Sequence, residues 1–145
     1  MIRYVIDASV AIKWLVPENP EEQDVPQALA LLDALKDGNI VLYQPPHWEA
    51  EIAGVLVRIS PATAIRKIVA LWSLAFTRVN ETTVYATACD LAIRLNHHLF
   101  DTLYHAVALH TPDATLVTAD RRYFDKAQSI GQIVKLGDMN LPRLP

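Results

Sequence analysis

The 145-residue chain carries a formal net charge of −3, with 52% hydrophobic residues, 20% charged residues and a single cysteine. That composition excludes a disordered or collagen-like chain, an internal disulfide and a cysteine-rich zinc site, and the indiscriminate nucleic-acid adhesion that leaves a basic footprint. No apolar run approaches the roughly 18 residues of a membrane span, and Asp7 and Lys13 fall where a signal peptide needs its apolar region. A single cytoplasmic domain over residues 1–145, with no membrane association, is therefore expected.

The chain opens with the apolar run "IRYVI" (2–6), read as a strand, which stops on Asp7. A helix follows over 9–16. In "QALALLDALKDG" the leucines at 29, 32 and 35 recur at helical spacing, which predicts a helix over 26–36 ending at Gly38. A strand is expected at 40–43. The apolar stripe Trp48, Ile52, Val55, Leu56 and Ile59 predicts a helix over 48–59. At about 100° per residue, Glu49 and Glu51 flank that stripe on opposite sides, and periodicity alone does not choose between them. Ser60 and Pro61 read as N-cap and first residue of a helix over 61–74. A strand at 77–79 is at the lower limit of length. Helices at 84–95 and 102–110 precede a strand at 115–118, a helix at 122–129 and a last strand at 133–136. Strands alternating with helices predict an α/β fold, a mostly parallel sheet of four to five strands with helices on both faces.

In such sheets ligands gather at the carboxyl ends of the strands, which directs attention to the acids there. Asp7 ends the first strand, Asp120 follows "TLVT", and Asp101 opens a helix in "LFDTLYHAVAL". Each has an ordinary structural use as a helix N-cap. Together with a glutamate beside the Trp48 stripe they could meet at one sheet edge. Like charges about 4 Å apart repel by about 4 kcal/mol per pair at an effective dielectric of 20, so such a cluster needs a cation. Oxygen ligands select Mg²⁺ or Mn²⁺ over zinc.

These residues resemble the PIN-domain ribonucleases, in particular the VapC-type toxins of toxin–antitoxin pairs, nearly end to end. "VIDASVAIKWLVPE" looks like the family's opening; "QPPHWEAEIAGVL" is similar to its Pro, spacer and Glu-x-x-Asn; "FDTLYHAVAL" looks like its Asp-x-x-Tyr-x-Ala; "LVTADRRYF" resembles its Thr-x-Asp ending. The resemblance implies a PIN-like three-layer sandwich and an acidic quartet of Asp7, Glu51, Asp101 and Asp120 serving as both catalytic residues and metal ligands. Glu51 is preferred to Glu49 because "EIAGVL" is the stretch that fits. Ser9 and Thr118 would support the metal site. The one departure is Gly54, where the family usually has Asn.

The resemblance further implies hydrolysis of single-stranded or loop RNA by Mg²⁺ or Mn²⁺, leaving a 3′-hydroxyl and a 5′-phosphate. It also implies a cognate antitoxin partner. Lys13, Arg121 and Arg122 adjoin the acids in sequence and are candidates to guide the RNA backbone, against their ordinary use as solvated surface. Val16 and Trp72 belong to an apolar surplus that a homodimer face or an antitoxin groove would absorb.

Other chemistries fit less well. Asp101 and His105 are spaced i, i+4, but no HExxH or paired Cys/His motif accompanies them, so the five histidines read as surface, core or substrate-side residues. Cys89 reads as a helix-packing residue. There is no P-loop, GxGxxG or GxSxG. A haloacid-dehalogenase-like phosphatase wants a second Asp where Ser9 stands. A catalytically impaired PIN module that only binds RNA or a partner protein is the alternative reading, with Gly54 as its supporting feature.

Overall fold

The structure is a computed structural model and describes residues 1–140. Five strands form one sheet in the order β3-β2-β1-β4-β5: β1 (Ile2–Ile6), β2 (Ile40–Gln44), β3 (Thr77–Arg78), β4 (Ala114–Thr118) and β5 (Ile133–Lys135). Every pairing is parallel, where the sequence suggested a mostly parallel sheet. Among the described residues there are seven α-helices: α1 (Ala8–Leu15), α2 (Val25–Lys36), α3 (Trp48–Ile59), α4 (Ala64–Trp72), α5 (Thr82–Leu95), α6 (Leu99–His110) and α7 (Arg121–Ala127).

The strand order sets the layers. From β1 the chain steps outward through β2 to β3, then crosses back to β4 and continues to β5. Right-handed crossovers put α1 to α4 on one face and α5 to α7 on the other. The packing agrees: α1 lies against α2 and α3, α3 against α4, α5 against α6, and α6 across β1, β2 and β4. The direction of travel reverses between β1 and β4, and the cleft a doubly wound sheet offers a ligand opens there, beyond the strand ends.

The core explains the strand sequences. Val5 and Ile6 of β1 and Leu116 and Val117 of β4 are fully buried, as suits central strands covered on both faces. Trp48, Ile52 and Leu56, the inner stripe of α3, are fully buried, and Trp14 Nε1 donates to Ala28 O (2.7 Å), pinning α1 to α2. The β1–β2 ladder runs only to Tyr4 and Leu42, after which the buried Gln44 side chain replaces it. Gln44 Oε1 accepts from Ile6 N (2.9 Å) and Nε2 donates to Ile6 O (2.7 Å). The last residue before Asp7 is thereby held at both backbone polar groups, and no buried amide is left open.

Several boundaries differ from the sequence reading. The helix expected from Pro61 begins at Ala64, with Thr63 as its cap. Ser60 does not cap; its hydroxyl bonds that of Thr63 across a turn over 61–63. The helix expected from Thr102 begins one turn earlier, at Leu99 with His98 as N-cap, so Asp101 sits inside the first turn. Val16 is 4% exposed and belongs to the core, not to a surface apolar surplus; Trp72 remains 61% exposed. Gly38 terminates α2 as expected, with φ 75° and Asn39 N donating back to Ala34 O (2.9 Å). No described helix is long and apolar enough to cross a membrane.

Candidate metal centre

A cleft of about 430 Å³ opens at the carboxyl edge between β1 and β4, and Asp7, Glu51, Asp101 and Asp120 all line it, with Ser9, Lys13, Glu22, Val55, Tyr104 and Ala119 among the others. Four acids far apart in sequence thus share one opening.

Each is held differently. Asp7 follows β1 directly and caps α1: its Oδ1 accepts from Ser9 N (3.1 Å) and from the Ser9 hydroxyl, and its Oδ2 accepts from the Thr118 hydroxyl across the strands. Ser9 Oγ accepts in turn from Ala119 N (3.2 Å) and Thr118 Oγ1 from Asp120 N (3.0 Å). Ser9 and Thr118 therefore tie the two strand ends together around one carboxylate. Burial pushes the Asp7 carboxyl up to about 7; these hydrogen bonds oppose the rise, and the charges of Asp101 and Asp120 add to it.

Asp120 caps α7, its Oδ1 accepting from Tyr123 N (3.1 Å). For Asp7 and Asp120 the ordinary capping use is real and coexists with a place in the cleft. Asp101 caps nothing. Its Oδ2 accepts from His97 Nε2 at 2.7 Å, and burial raises its carboxyl above the usual range while His97 draws it down. Glu51, from the first turn of α3, has His47 Nε2 2.8 Å from Oε1, but that nitrogen satisfies hydrogen-bond geometry with Phe100 O (2.9 Å). Glu51 Oε1 is buried with no hydrogen-bond partner among the described residues.

The ambiguity between the two α3 glutamates resolves in space. Glu49 is 6% exposed and pairs with Arg78 on β3, Nη2 to Oε1 at 2.9 Å, outside the cleft. Lys13 lines the cleft but is buried and tied to Glu22 (3.2 Å). Glu22 is a fifth carboxylate that nothing in the sequence pattern singled out. Arg121 and Arg122 are exposed at the start of α7, Arg121 beside a small depression near Asp24 and Lys135, Arg122 beside another formed with Asn96, His97, His98 and Lys126.

His97 is the neighbour the sequence did not yield. The i, i+4 partner suggested for Asp101 was His105; His105 instead points into the core, Nδ1 to Tyr123 OH (2.9 Å) and Nε2 to Gly131 O (2.8 Å). His97 also stands four residues from Asp101, on its N-terminal side, but it precedes the start of α6, so the helical pattern points to His105 inside the helix instead.

The donor set fits a hard divalent cation. Carboxylate oxygens dominate it, one buried oxygen makes no hydrogen bond of normal geometry, and burial together with the neighbouring acids raises the proton affinity of another. His97, Asp101 and Asp120 each bring a ligand atom within 4.8 Å of the others.

A PIN-domain profile matches residues 4–129, and the chain belongs to the PIN domain family. Members of that family are generally metal-dependent nucleases. A search of curated proteins found no match.

Proposed function

We propose that this protein is a metal-dependent endoribonuclease, using Mg²⁺ or Mn²⁺, and the toxin of a VapBC-type toxin–antitoxin pair. The observation that carries the nuclease reading is the convergence of Asp7, Glu51, Asp101 and Asp120 on one cleft at the switch point of a PIN-family sheet.

Asp7, Glu51, Asp101 and Asp120 would hold the metal. When bound, it supplies positive charge for the phosphate and makes a water acidic enough to attack at neutral pH. The chain's own contribution is placement. Ser9 and Thr118 fix both oxygens of Asp7, the Tyr123 amide fixes Asp120, and His97 fixes Asp101, so the carboxylates are set before substrate arrives. Glu51, whose Oε1 lies 2.8 Å from His47 Nε2 without a hydrogen bond of normal geometry, would be the carboxylate to take a proton from water. Arg121 and Arg122, exposed next in sequence to Asp120 and lining two neighbouring depressions, would meet RNA phosphates, whereas Lys13 is largely neutralised by Glu22.

The partners follow from the same reading: an antitoxin protein, and a second copy of the chain seated on the outer face of α4, where Ile65, Val69 and Trp72 remain exposed. Size exclusion with light scattering tests the homodimer, with a monomer at micromolar concentration counting against it.

The decisive experiment is cleavage of a single-stranded RNA with and without Mg²⁺ or Mn²⁺, by wild type and Asp7→Asn. Cleavage that needs the metal and is lost in the variant supports the reading; metal-independent cleavage, or full activity in the variant, overturns it. Growth arrest on induction, relieved by the product of an adjacent small reading frame, tests the toxin role separately.

A further inference from the structure

We propose that His97 supplies a nitrogen ligand to the metal centre, so that the centre selects Mn²⁺, Co²⁺ or Zn²⁺ over Mg²⁺. The inference depends on the nuclease reading only for the presence of a divalent-ion centre in this cleft.

Three observations carry it. First, a nitrogen of His97 and one oxygen each from Asp101 and Asp120 lie within 4.8 Å of one another, close enough to share a single ion. Second, the ring is preset. α5 ends at Asn96 in the left-handed conformation (φ 48°), and His97 N donates back to Ala92 O (3.1 Å), so the backbone reaches Asp101 by a fixed turn. Lys126 Nζ ties down Asn96 O (2.8 Å). The Tyr123 ring stands edge-on to the His97 ring at 4.9 Å, and its hydroxyl is anchored on buried His105. Because Tyr123 N also holds Asp120, one residue braces the nitrogen and an oxygen of the set. The His97 side chain is 6% exposed, so its position costs little further ordering on binding. Third, Tyr104, 1% exposed and lining the same cleft, stands beside the Glu51 carboxylate, and its hydroxyl makes no hydrogen bond of normal geometry among the described residues, so a polar group of the cleft is left unmet.

The other candidate nitrogen is already committed. His47 Nε2 bonds Phe100 O and lies 2.8 Å from Glu51 Oε1, and His47 brings no nitrogen within ligand-sharing distance of Asp101 and Asp120, as His97 does from the neighbouring depression it forms with Arg122. The 2.7 Å spacing between His97 Nε2 and Asp101 Oδ2 is a hydrogen bond in the metal-free protein. With an ion bound, the ring proton resides on Nδ1 and Nε2 is free to ligate. Imidazole nitrogen suits the later first-row cations, whereas Mg²⁺ keeps to oxygen and water.

The test loads the full chain with Mn²⁺ and reads ¹⁴N modulation by electron spin-echo spectroscopy, alongside calorimetric affinities for Mn²⁺ and Mg²⁺. The expected result is a directly coordinated imidazole nitrogen in wild type and in His47→Gln, lost in His97→Gln, with a Mn²⁺ over Mg²⁺ preference of about tenfold or more in wild type that shrinks by about tenfold in His97→Gln. Mn²⁺ bound through oxygen alone in wild type, or a nitrogen coupling that survives His97→Gln, overturns the proposal while leaving the nuclease reading standing. Absence of any Mn²⁺ binding overturns both. The wild-type spectrum decides by itself if the His97 variant fails to fold, and ¹⁵N-histidine labelling identifies the coupled nitrogen as imidazole without any substitution.

Discussion

Asp7→Asn should make the metal-free protein more stable at alkaline pH even as it removes a proposed ligand. Asp7 titrates at about 7 in the folded chain against an ordinary 3.8, because burial opposes its charge. A carboxyl raised in this way binds its proton more tightly when folded, so stability is fullest below about 4, falls as pH rises from about 4 to about 7, and stays low above that. The gap between those values corresponds to ~4 kcal/mol at ~1.36 kcal/mol per pH unit. Water in the open cleft lowers the figure, and about 2 kcal/mol is a reasonable floor. Asparagine occupies the same volume, keeps an oxygen for Ser9 and never ionises. Thermal melts in EDTA from pH 4.5 to 8.5 should show the variant gaining on wild type through that window, reaching a lead of roughly 4–8 °C at pH 8.5. Saturating Mg²⁺ should close the gap by stabilising wild type alone, more strongly at pH 8 than at pH 5.5. A difference between the two proteins that does not change with pH, or a variant less stable than wild type at pH 8.5, would refute the electrostatic account of the site.

Substitutions at four further positions separate structural acids and polar groups from functional ones. Arg78→Ala leaves Glu49 buried and unpaired and should cost about 1–3 kcal/mol in urea unfolding, with calorimetric metal affinity unchanged; Glu51→Gln should do the reverse, abolishing RNA cleavage and lowering metal affinity with little loss of stability. Tyr104→Phe removes a buried hydroxyl that has no partner and should raise metal-free stability by about 1 kcal/mol, measured by the same denaturation. Gly54 lies within α3 with nothing within 4 Å of where a Cβ would be, so Gly54→Ala should stabilise by about 0.5–1 kcal/mol. Gly54→Asn should fold equally well, and a rise in its cleavage rate would identify the glycine as the cause of a weakened site.

The sheet was legible because its strands announce themselves by composition: β1, β2 and β4 are short apolar runs bounded by turn residues, too brief for a buried helix and too uniformly apolar for a surface strand. The helix starts at Ala64 and Leu99 were not, since each depends on turn geometry that periodicity does not carry. Ser60, Thr63 and Pro61 offer competing caps, and "HHLF" contains no strong cap at all. In the site, Asp7 and Asp120 were legible from their place after strands, a consequence of topology. The choice between Glu49 and Glu51 was open to periodicity and closed only by Arg78, which arrives from β3. His97 and Glu22 were missed for a related reason: their places arise from where a helix C-terminus and a loop pass the strand ends, and although His97 is four residues from Asp101, it lies outside the helix that carries the periodicity.

The metal-free chain offsets three of the four acids of the proposed quartet by three different means and leaves the fourth, and the difference bears on how the site would work. Asp7 takes up a proton near neutrality, Asp120 faces the amide of Tyr123 at a helix start, and Asp101 is paired with His97. Each of these compensations is local, formed by neighbours that packing fixes in place. Glu51 has no equivalent hydrogen bond: His47 Nε2 lies 2.8 Å from its Oε1, but the nitrogen's hydrogen-bond geometry is met by Phe100 O. On the proposed reading, three of the ligands are therefore preorganised at some cost in stability, and the fourth is the one a cation would balance. A cleft arranged in this way favours a cation over an empty state without requiring the protein to refold around it, which is how a marginally stable domain can carry a concentrated negative charge at its sheet edge.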